Sequence, residues 1–155
     1  MAQIIHGDRV GAQGHIRVGC SAAIFSGAGD KILLARRSDN GLWHMAGGGL
    51  EPGESAAEAC VREIREELGL EIEAKRLIGV YSSPDILVRY ADGNAFQFVS
   101  LFFEAVILSG EPRLNDELTE WGYFSLEEAR RLELMGNHVQ RLEDAFAPSR
   151  ETYIR

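Results

Sequence analysis

Residues 47–70 read GGGLEPGESAAEACVREIREELGL: three glycines, a proline-glycine turn, then a run crowded with glutamate. Ser55 followed by Glu58 is a capping-box pattern, and Gly69 stands where a helix should stop, which predicts a helix over Ala56–Leu68. At about 100° per residue, Ala57, Cys60, Val61, Ile64 and Leu68 gather on one side as the core face. Glu63, Glu66 and Glu67, at i, i+3 and i+4, gather on an adjacent side. Ala56 and Ala59 share that side one turn earlier and leave open space above the carboxylates. Like charges at this spacing repel, so something must compensate.

Two readings of the glutamates stand side by side. One is a solvated charged face, with Arg62 and Arg65 pairing locally to Glu54, Glu58 or Glu66. The other is a site. Glu67 lies beside the apolar face, where a charge is costly unless it is paired or bound to a metal. Three carboxylates converging at a core edge offer oxygen ligands to a hard cation. Mg2+ or Mn2+ suits them better than zinc, because no histidine or cysteine joins the cluster. Gly47, Gly48 and Gly49 either make a plain turn or let the backbone, carbonyls included, come close to a ligand. Together, glycines and glutamates suit diphosphate chemistry, in which metal offsets phosphate charge and a carboxylate activates water.

Outward from this stretch, His15–Phe25 and Lys31–Arg36 read as two strands of a hairpin joined by SGAGD. Trp43–Ala46 reads as a short strand, and Leu70–Ser82 and Phe96–Leu108 as longer ones rich in β-branched and aromatic residues. Ile86–Tyr90 reads as a strand ending in the turn ADGN. A second capping box, Ser125 with Glu128, opens a helix to about Met135, and His138–Phe146 reads as a last short helix. Strands and helices mix without regular alternation, which predicts an α+β fold with helices on the faces of a mixed sheet.

The 155 residues predict one domain, 1–155, of ordinary globular composition, 45% hydrophobic and 26% charged. The net charge of −8, from 16 basic and 24 acidic residues, disfavours long nucleic acids as partners. A small anion accompanied by a divalent cation remains compatible with it. No apolar run is long enough for a membrane span, and the N-terminus lacks a signal-peptide pattern, so a cytoplasmic location is expected. Cys20 and Cys60 sit in apolar contexts and read as small buried hydrophobes.

Gly48, Glu54, Arg62, Glu63, Ile64, Glu66, Glu67, Gly69 and Leu70 fill every fixed position of G-x(5)-E-x(7)-R-E-U-x-E-E-x-G-U, where U is a bulky aliphatic residue. The chain therefore resembles the Nudix hydrolases, MutT-like enzymes among them. The pattern covers a small part of the chain; GDKILLARR upstream and DELTEWGYFSLEEA downstream are more loosely similar. The resemblance implies an α/β/α sandwich with a mixed sheet, and metal-dependent hydrolysis of a nucleoside diphosphate linked to another group. It implies that Glu63, Glu66 and Glu67 hold Mg2+, with Mn2+ an alternative, helped by a carbonyl at Gly47 or Gly48. Glu54 and Arg62 would brace the loop against the helix. The base stays open between Glu63, Glu66, Glu117 and Glu120, with Asp116 behind them; the acidic DELTE run reads equally as a surface loop. Ala46 stands where many relatives carry proline, which removes no ligand.

Substrate selection lies outside the motif. Arg36, Arg37 and Arg89 are candidates to hold phosphate, or plain surface charges. Trp43, with Phe25, Tyr81, Phe96, Phe98 and Trp121, is a candidate to stack on a base, or a core aromatic. Ser82–Asp85 reads as a loop over the site, and His44 either touches substrate or faces solvent. A small nucleotide is the expected partner, as nucleoside triphosphate, nucleotide sugar or ADP-ribose type, and a homodimer is compatible with free strand edges. The rival reading is a catalytically silent nucleotide-binding module of the same fold. Isomerisation of an isoprenoid diphosphate would need a reactive cysteine in the pocket, and Cys60 falls on the core face.

Overall fold

The helix α1 (Ala56–Leu68) is capped at both ends. Ser55 Oγ accepts from the Glu58 amide at 3.2 Å, and the Glu58 carboxylate accepts from the Ser55 amide at 2.7 Å. Gly69, at φ 68°, takes the left-handed conformation that ends the helix. Its buried face is Ala59, Cys60, Ile64, Glu67 and Leu68, while Ala57 is exposed. The wheel thus had the two alanines the wrong way round. A methyl carries too little apolar area to set a helix's rotation, and the larger Ile64 and Leu68 set it instead.

The computed structural model describes residues 2–155. Its strands are β1 (Gln3–His6), β2 (His15–Ile24), β3 (Ile32–Arg37), β4 (Trp43–His44), β5 (Gly47–Gly49), β6 (Glu71–Tyr81), β7 (Ile86–Arg89), β8 (Ala95–Ser109), β9 (Leu118–Phe124) and β10 (Tyr153–Ile154). Two further helices are α2 (Leu126–Ala129) and α3 (His138–Phe146). The larger sheet is mixed. At its centre β2 runs parallel to β8, from His15 opposite Phe96 to Ile24 opposite Ala105. The other edge of β8 takes β7 and then β6, both antiparallel. β1 lies outside β7, β10 outside β6, and β5 along the free edge of β2. The smaller sheet is antiparallel, in the order β4-β3-β9.

Alternation along the strands divides the core in two. Cys20, Ala22 and Ile24 of β2, with Leu33 and Ala35 of β3, pack with the buried face of α1. Ala23, Ile32 and Leu34 point the other way and pack with Ala129 of α2 and Leu142 and Ala145 of α3. Helices therefore cover opposite faces, giving the expected α/β/α sandwich. Because both faces of β3 are buried, Ile32–Ala35 reads as an unbroken apolar run.

Three expectations are corrected. β2 and β3 do not form a hairpin: Ser26 closes the turn by donating to the Lys31 carbonyl at 2.8 Å, but only Phe25 and Ile32 bridge. The edges of β2 are already taken by β8 and β5, and those of β3 by β4 and β9. The second capping box forms, but its helix ends at Ala129 instead of Met135. Residues 133–135 instead bond to Trp43, whose amide donates to the Glu133 carbonyl and whose carbonyl accepts from the Met135 amide, each at 2.9 Å. The three glycines are a strand, paired Gly47–Ser21, Gly48–Cys20 and Gly49–Gly19.

Candidate active site

Arg62 ties the glycine strand to α1. Its guanidinium donates to both oxygens of Glu54, at 2.7 and 3.1 Å, and to the Gly49 carbonyl at 2.9 Å. Further bonds reach Glu63 at 2.9 Å and Glu66 at 3.3 Å. Glu54 also accepts from the Glu51 amide at 2.8 Å, which closes the loop. The bidentate arginine holds the Glu54 carboxyl below its usual range. Glu54 and Arg62 thus sit where bracing groups would, with no donor atom left over for a substrate on Glu54's side of the guanidinium.

Glu67 and Glu63 face the glycines, while Glu66 lies more exposed beside Arg62. Glu67 is 6% exposed and accepts from the Gly47 amide at 3.0 Å. Burial pushes its carboxyl up to about 7 against that bond, and the charges of Glu63 and Glu117 add to the rise. A side chain at Gly48 would meet the Glu63 carboxylate and displace it from the glycine strand. Glu117, in the loop before β9, is near enough for its charge to act on both Glu67 and Arg37. Asn115 of that loop donates to the Glu66 carbonyl at 3.3 Å. The acidic loop is thereby anchored at the C-terminal end of α1.

The donor set suits a hard cation: hard oxygens, a buried carboxylate with an unfavourable charge, and a glycine cradle that a Cβ would fill. Among the described residues, no three acidic, histidine or cysteine groups are gathered into a closed ligand cage. Arg62 accounts for this by drawing Glu63 and Glu66 toward itself.

The glycine strand forms one wall of a cleft of about 840 Å³. Of the residues picked from sequence for substrate, the structure brings Arg37, Tyr81, Phe98 and His44 to this cleft, with Gly48 of the expected metal set, and leaves others away from it. Arg36 donates to the Gly41 carbonyl at 2.8 Å and pairs with Glu120 at 3.5 Å. Trp43 packs edge-on against Phe124, ring centres 5.0 Å apart, in the core beside α2. Arg89 lies on β7 opposite in parity to Ile86 and Val88, which line the cleft. Ser83 does reach the cleft, as the loop expectation held.

The sequence reading missed Arg17 on the rim, and His138 and Arg141 on the floor. A signal existed: His138, Arg141, Leu142 and Ala145 fall at i, i+3, i+4 and i+7, so two of these four inward-spaced positions are polar, and Asp144 is buried beside them. His138 Nδ1 accepts from the Met45 amide at 3.2 Å, which leaves the ring proton on Nε2. Burial, then the charges of Arg141 and His44, hold its imidazole well below the usual value. His44 is held at about 4, by burial and then by Arg37.

Comparison with known proteins agrees with this geometry. The model of the NUDIX domain matches residues 15–145. An ADP-ribose pyrophosphatase of Methanocaldococcus jannaschii is 40% identical over 106 residues, 66% of this chain; the matched segment spans 59% of that longer protein. A nucleoside triphosphatase, NudI, of Enterobacter is 34% identical over 126 residues, covering 77% of this chain and 88% of that protein. The crystal structure of a MutT NUDIX hydrolase from Burkholderia pseudomallei superposes with TM-score 0.67 at 32% identity, covering 84% of this chain and 98% of that one.

Proposed function

This chain belongs to the NUDIX family, and on that premise we propose that it hydrolyses a phosphoanhydride bond in a nucleoside diphosphate derivative. The observation that carries the reading is Glu67, buried under the Gly47 amide, with Glu63 pressed against Gly48, both behind the glycine strand that lines an open cleft. Glu63, Glu66 and Glu67, with the Gly48 carbonyl, would hold Mg2+, and Mn2+ fits the same oxygens. Bound there, the cation supplies positive charge against the diphosphate oxygens and makes water more acidic.

The chain's own residues do the rest. The glycine strand brings backbone close to the phosphates without side-chain obstruction. Arg62 and Glu54 tie the glycine strand to the helix that carries the carboxylates. Glu117, on an exposed loop near Glu67, would take a proton from the attacking water at its carboxylate; Glu63 and Glu66 are the alternative bases. Arg37 enters the cleft already paired to Asp39 at 2.8 Å, which tempers its charge toward phosphate. The relatives' names point to two substrate kinds, ADP-ribose and nucleoside triphosphates, and both contain the bond in question.

The test is turnover of a panel of nucleoside triphosphates, nucleotide sugars and ADP-ribose with Mg2+, read by chromatography. Glu66→Gln and Glu67→Gln each abolish turnover of the favoured substrate, and Glu117→Gln slows it by roughly 10²-fold or more as a lost general base. Magnesium-dependent binding without hydrolysis across the panel would instead support a silent nucleotide-binding module.

A further inference from the structure

The floor of the cleft holds a charge that no carboxylate among the described residues balances. Arg141 is 9% exposed and lines the cleft, yet its Nε has no hydrogen-bond partner. Its guanidinium lies over the Tyr81 ring, 5.1 Å from the centroid, which gives it a cation–π contact and no anion. The one buried carboxylate nearby on α3 is committed elsewhere. Asp144 takes two bonds from Arg155, at 2.6 and 3.2 Å, and the Tyr81 hydroxyl at 2.7 Å. Arg155 thus takes the charge of Asp144, and Arg141 is left over. Two other residues lining the cleft carry buried groups without a partner among the described residues, His44 Nε2 and, beside the glycine strand, Ser21 Oγ. His138 carries its proton on Nε2, so it too offers a donor. An acidic chain that buries an unpaired cation at the bottom of an open cleft leaves a costly arrangement unless a ligand completes it.

We infer that the floor around Arg141, with His138 beside it on α3, is a second oxyanion subsite, which takes a carboxylate or phosphate that the substrate carries away from its scissile diphosphate. The inference rests on the proposed hydrolysis and narrows its substrate class to nucleotides with an additional anion. The diphosphate belongs at the glycine strand and the glutamates; Arg141 comes from α3, which packs on the other side of the sandwich. A group bound there is therefore held at a distance from the reacting bond. A guanidinium presents paired donors that match two oxygens of one oxyanion.

Matched pairs of substrates that differ by one such anion test this: UDP-glucose and UDP-glucuronate for a carboxylate, NADH and NADPH or dephospho-coenzyme A and coenzyme A for a phosphate. The charged member of at least one pair has a KM lower by about tenfold, the worth of one charge-assisted contact. Arg141→Gln brings the ratio of the two KM values to near one, and Arg141→Lys keeps part of the preference. Which pair responds tells carboxylate from phosphate. Equal KM values within every pair, or an Arg141→Gln variant that preserves the ratio, would overturn the subsite. A change in preference between bases, with none within the pairs, would overturn it too, by making Arg141 a reader of the nucleobase. If no pair is turned over at all, the proposed hydrolysis fails first. Calorimetric binding of adenosine 2′,5′-bisphosphate against AMP still decides the subsite, since tighter binding of the bisphosphate supports it and equal binding rejects it. The wild-type comparisons stand even if a variant folds poorly.

Discussion

Arg62 shows how much one side chain can hold in this protein. It binds Glu54, Glu63, Glu66 and the Gly49 carbonyl at once, which only a planar fork of five donors can do. Arg62→Lys keeps the charge but offers a single point of contact. It should lower kcat on the order of 10²-fold, the cost of a slight misplacement of reacting groups, while circular dichroism stays native. An unchanged kcat would show that the brace is not needed for alignment. Gly48 is constrained from the other side. Gly48→Ala drives a methyl into the Glu63 carboxylate, so Mg2+ should raise the melting temperature of this variant much less than that of the wild type in a thermal titration.

At the scale of elements, α1 is defined by its caps as much as by its apolar face. Ser55→Ala removes the bond to the Glu58 amide and should destabilise the protein by about 1 kcal/mol in urea unfolding. The same capping signal at Ser125 produced only the short α2, because residues 133–135 found strand-like partners on Trp43. A cap marks where a helix starts, and competing hydrogen bonds decide where it stops. Likewise, β2 and β3 have the composition of a hairpin and the turn to match. They part because each has two better edges to pair with, supplied by strands far away in sequence.

For the whole molecule, the buried imidazoles give a dependence on pH. His44 is held at about 4 in the fold against 6.5 when unfolded. Between those values the unfolded chain binds a proton that the native site refuses, so stability is lost as pH falls from about 6.5 to about 4. The loss amounts to roughly 3 kcal/mol when complete. Glu67, raised to about 7, acts in the opposite sense over an overlapping range: stability falls as pH rises from 4.5 toward 7. The histidine effect is therefore read as a difference. The unfolding free energy of wild type minus that of His44→Gln should rise between pH 4 and 6.5 and be flat above; a difference independent of pH would contradict it. His138, held down in the same direction, responds alike.

The sequence by itself determined the family motif, the capped helix with Glu63, Glu66 and Glu67 on one side, the longer strands and the α+β class. All of these rest on local spacing, where a helical turn or a strand's alternation brings neighbours in sequence together. Only the tertiary structure decided that the glycines form a strand against β2, that Trp43 belongs to the core, and that Arg36 and Arg89 stand away from the cleft while Arg17 and Arg141 line it. Those outcomes depend on which strand edges are already occupied and on which face of an element meets which layer. Arg141 belongs to this second kind: only the packing of α3 against the cleft floor showed that it is buried there with no carboxylate partner among the described residues.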